Sequence, residues 1–355
     1  MDKKYLVTIS IPVYNMEKYL HRCLESIIVP EYFGQYEVLI INDGSKDSSI
    51  QIANEFQKDF PEVFKVIDKN NGNWGSCNNV AIEKAKGYYL RILDADDFFS
   101  IEDFRIFLKK ISELKEDVDI IQTKCCIVRD NAEPIYETNV GIEYAHVYNV
   151  EDLVFNKNLR YAHHTATINL KLLRENNISL QEGMSYTDIE LYSYSLRFAK
   201  TVIFWDILLY RYFLGRAGQS ISLASYRKNI CHLERLFKRM LECRYLYIAD
   251  SNTNTLQSQI FYISKIFSVY CHLNIVDRHY ADHIDHFEAF RNIWSGFESN
   301  LPELITAVCS YKLKGYKAIE MWAKFHITSK NGIGLCLYSL FRIMHMPYSF
   351  IKSRF

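Results

Sequence analysis

The chain has 355 residues, of which 49% are hydrophobic and 24% are charged, and 42 basic residues balance 42 acidic ones. This composition excludes a disordered chain and allows a large core or two domains. No signal-peptide pattern opens the chain, no run reaches the roughly 18 apolar residues of a membrane span, and the cysteines lack zinc-like spacing. The sequence therefore predicts a cytoplasmic protein with free thiols.

Strands and helices alternate through the first hundred residues. Apolar, β-branched runs predict strands at 6–13, 36–41, 64–67 and 88–93, and helical spacing predicts helices at 16–28, about 48–56 and 77–86. This alternation is typical of a parallel sheet with helices on both faces, whose ligands bind beyond the carboxyl ends of the strands. Polar segments follow each strand at that edge, at Tyr14-Asn15, Asn42 to Ser45, Asn70 to Ser76 and Asp94 to Asp97. The four segments predict a nucleotide-type pocket.

The fourth of these strands ends in three carboxylates, Asp94, Asp96 and Asp97. Like charges so close together repel, and they are costly to desolvate unless a cation lies between them. Mg²⁺ and Mn²⁺ prefer oxygen ligands and commonly complete their shell with substrate phosphates. A solvated acidic turn is the alternative for an isolated D-x-D, and the neighbouring polar loops favour the metal site here.

The middle of the chain continues the α/β pattern with strands expected at 118–128, 201–205 and 208–213. A strand-like segment at 161–168 carries His163 and His164, helices are expected at 170–176 and after 183–190, and a turn at 214–222. Adjacent residues of a strand point to opposite faces, so at most one histidine is expected to face the cleft. Neither a dinucleotide-binding glycine motif nor a P-loop is present, which disfavours dehydrogenases and P-loop phosphotransferases.

Helical, amphipathic spacing from about residue 223 predicts a domain boundary, with a catalytic domain at 1–222 and a helical region at 223–355. From Tyr311 onward the chain has eight basic residues against Glu320 alone, together with many aromatic ones. This tail fits either peripheral contact with an anionic membrane or a terminal helix packed on the catalytic domain. No nucleic-acid motif accompanies the charge, so no nucleic-acid partner is expected.

The motifs, taken in order from about Thr8 to Ser222, resemble those of the family 2 glycosyltransferases, which have the GT-A fold. The resemblance rests on segments 11–15, 41–45, 71–79, 93–97, 186–188 and 216–222. It implies an α/β fold with a GT-A, Rossmann-like, mostly parallel sheet and helices on both faces, followed by a helical C-terminal region. It also implies Mn²⁺ or Mg²⁺ as the cofactor, and a nucleotide-sugar donor.

The resemblance implies roles for individual residues. Asp96 is the leading metal ligand, and Asp94 helps by contacting the metal, directly or through water, or the ribose. Nucleotide contacts are expected from Pro12, Val13, Tyr14, Asn15, Asp43, Gly44, Asn71, Gly72, Asp94 and Ala95, and donor-sugar or diphosphate contacts from Asp97, His164, Arg216 and Ser220.

Several of these residues have a second interpretation. Asp43 either accepts a hydrogen bond from uracil N3–H or belongs to a simple Asp-Gly turn. Asp97 either positions the sugar or caps the next turn, and Arg216 either pairs with the diphosphate or is a solvated loop charge. Trp74 either stacks on the sugar or base or lies at the edge of the core.

Asp188 lies where the family keeps its catalytic base, although Thr187 replaces the Glu that many relatives have before it. The same carboxylate also suits the N-cap of the following helix. Asn78 stands where many relatives have an arginine, which puts one diphosphate contact in question. A base at Asp188 would remove the acceptor's hydroxyl proton, and attack opposite the diphosphate inverts the anomeric centre.

The implied function is that of an inverting, metal-dependent glycosyltransferase acting in the synthesis of a cell-surface polysaccharide such as a capsule. A UDP-sugar is the expected donor, and a saccharide or lipid-linked saccharide is the expected acceptor, at the inner face of the membrane. The alternative is a non-catalytic nucleotide-sugar-binding subunit of a polysaccharide synthase complex. A nucleotidyltransferase is weaker, because its lysine-bearing glycine loop is missing, and the sequence leaves a homo-oligomer open.

Overall fold

A computed structural model describes most of the chain before residue 311. The described residues are 5–130, 132–137, 139–155, 158–159, 161–216, 219–220, 222–242, 253–275 and 284–310. They belong to two compact units, Met1–Gln219 with Asp250–Gln259 and Ser220–Ala249 with Ile260–Phe355. The predicted boundary at residues 222–223 stays a prediction, and the basic tail lies outside the described residues.

Four parallel strands form one half of the large sheet. They are β1 (Val7–Val13), β2 (Tyr36–Asn42), β3 (Phe64–Asp68) and β4 (Tyr89–Ile92), in the order β3-β2-β1-β4. Nearly every side chain of β1, β2 and β4 is buried, which explains their continuous apolar runs, because a parallel sheet is covered on both faces. The predicted α/β order is confirmed, and the four polar segments follow these strands at one edge.

The helices between these strands are α1 (Leu20–Glu25), α2 (Ser49–Asp59) and α3 (Asn73–Lys84). Helix α1 is shorter than the predicted 16–28, and α3 begins four residues before the predicted Cys77. The early start of α3 depends on Asp43, whose carboxylate accepts the backbone N–H groups of Gly72 and Asn73. The free N–H groups of a helix need acceptors, and this one comes from a distant loop.

The other half of the large sheet is mixed. Strand β10 (Ala166–Asn169) lies antiparallel between β4 and β6 (Ile120–Gln122), and β6 pairs in parallel with β11 (Thr201–Phe204), which carries the edge strand β9 (Val147–Asn149). A smaller sheet has the order β5 (Phe98–Phe99), β12 (Tyr210–Phe213), β7 (Cys125–Arg129) and β8 (Ala132–Glu137).

The single strand predicted at 118–128 is wrong, because the chain leaves the large sheet between β6 and β7. The backbone N–H of Thr123 donates to Thr165 O at 2.9 Å, and that of Lys124 donates to Ile207 O at 2.7 Å. Both groups thus bond to loops outside the two ladders. An apolar run cannot reveal such a change of sheet, since both strands need the same residue types.

The remaining helices are α4 (Ile101–Glu113), α5 (Leu170–Glu175), α6 (Asp188–Phe198), α7 (Leu223–Lys228), α8 (Ile230–Glu242), α9 (Thr253–Ile275), α10 (Ile284–Asn300) and α11 (Pro302–Ser310). Within the ranges given above, no helix is both long enough and apolar enough to cross a membrane. A mixed α/β region followed by helices confirms the predicted fold class.

Candidate active site

The loops that follow β1 and β2 are joined by hydrogen bonds. The N–H of Asp43 donates to Val13 O at 2.8 Å, the N–H of Asn15 donates to Ser45 Oγ at 3.1 Å, and the N–H of Lys46 donates to Asn15 Oδ1 at 2.7 Å. Asn15 has a φ of 54°, a left-handed conformation that asparagine tolerates. The two loops therefore form one rigid wall at the carboxyl edge of the sheet.

The carboxylate of Asp43 is occupied by neighbouring donors. Its Oδ1 accepts from Lys69 Nζ at 2.8 Å and from the N–H of Gly72 at 2.9 Å, and its Oδ2 accepts from the N–H of Asn73 at 2.8 Å. A carboxylate has about four lone-pair positions, so these donors leave about one for a base. Gly44 has a φ of 74° and completes the Asp-Gly turn. Contact between Asp43 and a uracil ring stays a prediction.

The carboxylate of Asp97 is fully buried and holds β12 in place. It accepts the Tyr210 hydroxyl at 2.6 Å and the N–H of Phe213 at 2.7 Å. Burial and the nearby charges of Asp96 and Asp94 raise the pKa of Asp97 well above its usual value. The structure thus shows a structural use for this residue, and contact with a donor sugar stays a prediction.

Asp96 and Arg216 form an ion pair. Arg216 Nε donates to Asp96 Oδ2 at 2.7 Å, and the Asp96 residue is only 7% exposed. Burial, followed by the charge of Asp94, raises the pKa of Asp96 despite the arginine. The predicted metal ligand and the predicted diphosphate contact therefore lie side by side.

Asp94 is held by an indole and an imidazole. Trp74 Nε1 donates to its Oδ1 at 2.9 Å, and His163 Nε2 lies 2.9 Å from its Oδ2. Burial alone would raise the pKa of Asp94, but the histidine charge and these hydrogen bonds outweigh it and lower the pKa below its usual value. Against burial, the charge of Asp94 raises the pKa of His163. The two groups thus form an ion pair, and Trp74 has a polar role that neither sequence interpretation included.

His163 and His164 lie in a turn before β10, so the predicted strand placement is wrong. Their ring centroids are 3.8 Å apart, and both rings lie near Asp94 instead of on opposite faces. The buried guanidinium of Arg91 causes this bend, because it donates to His164 O at 2.6 Å and Thr165 O at 2.8 Å. The backbone is thus fixed by a residue on β4.

Asp188 is the first residue of α6, and Thr187 is the N-cap. Burial raises the pKa of Asp188, the charge of His163 opposes this shift, and the charge of Asp94 adds to it. The segment before Asp188 is anchored on the glycine-rich loop, where the N–H of Gly183 donates to Gly72 O at 2.7 Å. A Cβ on Gly75 would lie 2.2 Å from Gln181 O, so only glycine allows this approach.

The other predicted residues lie around these groups or apart from them. Pro12 and Val13 end β1, Tyr14 is 46% exposed, Asn71 Nδ2 donates to Asp43 O, and Ala95 is buried between the carboxylates. Ser220 is an exposed turn residue. Asn78 is buried and bonds to Ser10 and Trp74, so it does not replace an arginine in the cleft.

Sequence reasoning missed three residues that build this site. Tyr210 contacts both Asp97 and the N–H of Asp94, Tyr192 contacts His163, and Arg91 shapes the histidine turn. Arg91 left a signal, because a charged residue inside an apolar strand needs a buried polar partner. The two tyrosines left none, since aromatic residues also fill cores.

The site has donors that fit a divalent cation. Asp94 and Asp96 carry carboxylate oxygens, the ligands that Mg²⁺ and Mn²⁺ prefer. The pKa of Asp96 is raised partly by the charge of Asp94, which places the two carboxylates within electrostatic reach of each other. A cation would relieve this repulsion.

Comparison with known proteins relates the first half of the chain to one enzyme family. The family model described as Glycosyl transferase family 2 matches residues 8–175. An uncharacterized glycosyltransferase MG025 homolog of Mycoplasma pneumoniae is 40% identical over 108 residues, which cover 30% of this chain and 36% of that protein. A poly(ribitol-phosphate) beta-glucosyltransferase of Bacillus spizizenii is 28% identical over 226 residues, or 61% of this chain and 34% of that protein.

The fold also resembles a solved structure. S. aureus TarS 1-349, crystallised in complex with UDP-GlcNAc, superposes with a TM-score of 0.59 and 17% identity over 90% of this chain and 87% of that chain. Identity this low shows a shared fold alone. The match covers 36% of the Mycoplasma pneumoniae relative and 43% of a similar protein of Mycoplasma genitalium, so the chain spans less than half the length of these relatives.

Proposed function

Residues 8–175 match the model of glycosyl transferase family 2, and from that premise we propose that the chain belongs to this family and is an inverting transferase for a nucleotide-diphosphate sugar. One observation carries the proposal. Asp188 and Asp94, which opens the acidic segment at the carboxyl edge of the parallel strands, both interact electrostatically with His163. This edge is where sheets of this kind bind ligands.

Asp188 has the properties of a general base. Its raised pKa makes the carboxylate a stronger proton acceptor than an ordinary aspartate, and its place at the start of α6 fixes its position. It would take the proton of the acceptor's hydroxyl as that oxygen bonds to the anomeric carbon. The bond from that carbon to the diphosphate oxygen breaks at the same time, and the nucleoside diphosphate leaves.

The leaving diphosphate carries negative charge, and the site has groups to receive it. A divalent ion held by Asp96 and Asp94 would supply electrostatic stabilisation of that charge. Arg216 pairs with Asp96 and has the guanidinium geometry that suits phosphate oxygens. The wall formed by the loops after β1 and β2, with Tyr14 exposed beside it, is the proposed nucleotide subsite.

We assign a UDP-sugar as the donor and a cell-surface saccharide, or its lipid-linked form, as the acceptor. The UDP-GlcNAc complex of TarS supports the first assignment, and the poly(ribitol-phosphate) glucosyltransferase supports the second. Mn²⁺ or Mg²⁺ is the proposed ion. Peripheral contact with the membrane through the tail after residue 310 remains a prediction.

The test is a transfer assay with a panel of UDP-sugars and surface-polysaccharide acceptors. Asp188→Asn and Asp96→Ala are expected to abolish most of the turnover, and donor binding should survive in Asp188→Asn. Asp206→Asn is the matched control, because this residue is 61% exposed and pairs with Lys124 outside the site. If both site variants turn over like the parent, the proposed roles are wrong. Donor binding without transfer or hydrolysis in the parent would instead indicate a non-catalytic subunit.

A further inference from the structure

Two imidazoles and one carboxylate form a cluster that the proposed reaction does not explain. His163, His164 and Asp94 each offer a ligand atom, and these atoms all lie within 4.8 Å of one another. Mg²⁺ would need only the oxygens of the acidic residues, so the two imidazole nitrogens are an additional feature of this site. We propose that Asp94, His163 and His164 bind a divalent transition-metal ion through one oxygen and two nitrogens. This proposal rests on the proposed function, because the ion would lie at the donor site.

The spacing of the donor atoms suits a shared ion. His163 Nε2 and Asp94 Oδ2 are 2.9 Å apart. Two neighbouring ligands of an octahedral ion, each about 2.1 Å from it and about 90° apart, are separated by about 3 Å. A small rotation of the two side chains would let both atoms bind one cation in place of the proton between them.

The other nitrogen of His163 is already occupied, as in known metal sites. Its Nδ1 bonds to the Tyr192 hydroxyl, and that hydroxyl also accepts the N–H of His163 at 2.8 Å. Histidines that bind metals usually engage their second ring nitrogen in this way, which fixes the ring orientation. Tyr192 thus leaves Nε2 directed at Asp94, as a metal ligand must be.

His164 lies in position for the same ion. Its ring lies beside that of His163, with centroids 3.8 Å apart, and it offers a nitrogen within 4.8 Å of the other two ligand atoms. Its ring packs against Tyr210 and Tyr212, with centroids 5.0 and 4.5 Å away. In the described part of the chain the ring has aromatic contacts alone, and no structural hydrogen bond explains it.

The cluster is held in place by a buried arginine and a partly buried tryptophan. Arg91 is fully buried and binds the carbonyl oxygens of His164 and Thr165, and Trp74 holds the other oxygen of Asp94. Burying a guanidinium without a carboxylate partner is costly. Here the buried guanidinium stabilises the backbone bend that brings the two imidazole rings together.

Ligand chemistry predicts the metal preference. Imidazole nitrogen suits Zn²⁺, Co²⁺ and other transition ions, whereas Mg²⁺ prefers oxygen. We therefore expect Co²⁺ and Zn²⁺ to bind the nucleotide-free protein more tightly than Mn²⁺ does, and Mg²⁺ to bind most weakly. A site made of Asp94 and Asp96 alone would show no such advantage for nitrogen-seeking ions.

The experiment measures metal binding to the full chain without nucleotide. After metal removal, calorimetry with Co²⁺, Mn²⁺ and Mg²⁺ gives affinities, and electron spin-echo spectroscopy of the Mn²⁺ form detects nitrogen ligands. The parent should show two imidazole nitrogens, and His163→Asn and His164→Asn should show one each. We expect each of these variants, and Tyr192→Phe, to bind the metal at least tenfold more weakly. Tenfold is the lower end of the range for loss of a residue that orients a metal ligand.

His21→Asn is the control, because this histidine lies on α1 with its side chain 62% exposed. It should keep both nitrogen signals and the parent affinity. If Mn²⁺ in the parent has only oxygen ligands, or if the two site variants bind metal like the parent, the proposal is wrong. Should His163→Asn fail to fold, His164→Asn still decides, since its ring has no structural hydrogen bond. Sugar transfer by a parent without nitrogen signals would reject this site and leave the proposed function standing.

Discussion

Asp43 and a group of four other carboxylates lie at the same edge of the sheet, and their surroundings differ. Asp43, beside β1 and β2, accepts hydrogen bonds from a lysine and from two backbone N–H groups. Asp94, Asp96, Asp97 and Asp188 lie across the edge, and the pKa values of the last three are raised by burial and by neighbouring negative charge. Asp43 thus has a lysine and two N–H groups to itself, whereas the four carboxylates of the second group lie near one another and share the ion pairs with His163 and Arg216.

From this difference we expect Asp43 to hold the structure and Asp188, in the crowded group, to act on a ligand. Disrupting a buried charge that the fold has already paired is destabilising, and such a charge has little capacity left to bind a substrate. A crowded set of carboxylates destabilises the protein until a proton, cation or substrate joins it, and perturbed pKa values of this kind concentrate at functional sites. Substitutions should therefore affect mainly stability at Asp43 and mainly activity at Asp188.

The largest expected effect is on catalysis by Asp188→Asn. Loss of a general base typically lowers the rate by about 10²–10⁴-fold, and we expect a fall of that size in kcat for transfer. The melting temperature should not fall, because the substitution removes a partly buried negative charge whose raised pKa shows that the folded state disfavours it. Thermal unfolding and steady-state kinetics measure the two effects, with Asp206→Asn as the control. If the Asp188→Asn variant loses stability and keeps its rate, Asp188 has a structural role and is not the general base.

Asp97→Ala tests whether one member of the crowded group is structural. The substitution leaves the Tyr210 hydroxyl and the N–H of Phe213 without their acceptor. Each unsatisfied buried group costs about 1–3 kcal/mol, so the free energy of unfolding should fall by roughly 2–6 kcal/mol. Chemical denaturation measures it. Asp206→Ala, which removes an exposed partner of Lys124, should cost under about 1 kcal/mol. Parental stability in Asp97→Ala would show that these bonds do not hold β12.

Asp43→Asn tests the neutralised carboxylate. The variant weakens three charge-assisted bonds at the start of α3, and we expect a loss of about 1.5–3 kcal/mol in stability. Hydrogen exchange should quicken at the amides of residues 73–76, where the helix begins. Asp68→Asn, on the exposed end of β3, is the control. If the affinity for UDP falls and the free energy of unfolding does not, Asp43 contacts the nucleotide base and does not stabilise the start of α3.

The smallest effect is the pH dependence of transfer. Because Asp188 must be ionised to act and its pKa is raised, the ascending limb of kcat/KM should lie above pH 3.9, the usual value for aspartate. The sign for stability is opposite. A raised pKa favours the protonated folded state, so this group's stabilising contribution is lost as the pH rises through its folded pKa. Asp188→Asn should therefore gain stability over the parent at neutral pH, and an equal difference at pH 4 and pH 7 would contradict this.

Much of the architecture was predictable because it follows from local patterns. Alternating apolar strands and amphipathic helices specify a parallel sheet, and polar segments after each strand specify the ligand-binding edge. The position of the acidic segment at 94–97 was predictable for the same reason, since it follows a strand, whereas Asp188 was singled out only by the family resemblance. The partners within the site were not predictable, because they are far apart in the chain. Tyr210 bonds to Asp94 across 116 positions, and Arg91 bonds to the carbonyl of His164 across 73.

The sequence by itself determined the order of the elements, the family-like motifs and the residues that carry charge at the sheet edge. Only the tertiary structure decided which of those charges are neutralised. Asp43 meets its donors because α3 begins beside it, and the two histidines turn toward Asp94 because a buried arginine bends the backbone before β10. Electrostatic state depends on distances between residues far apart in the chain, and those distances exist only after folding.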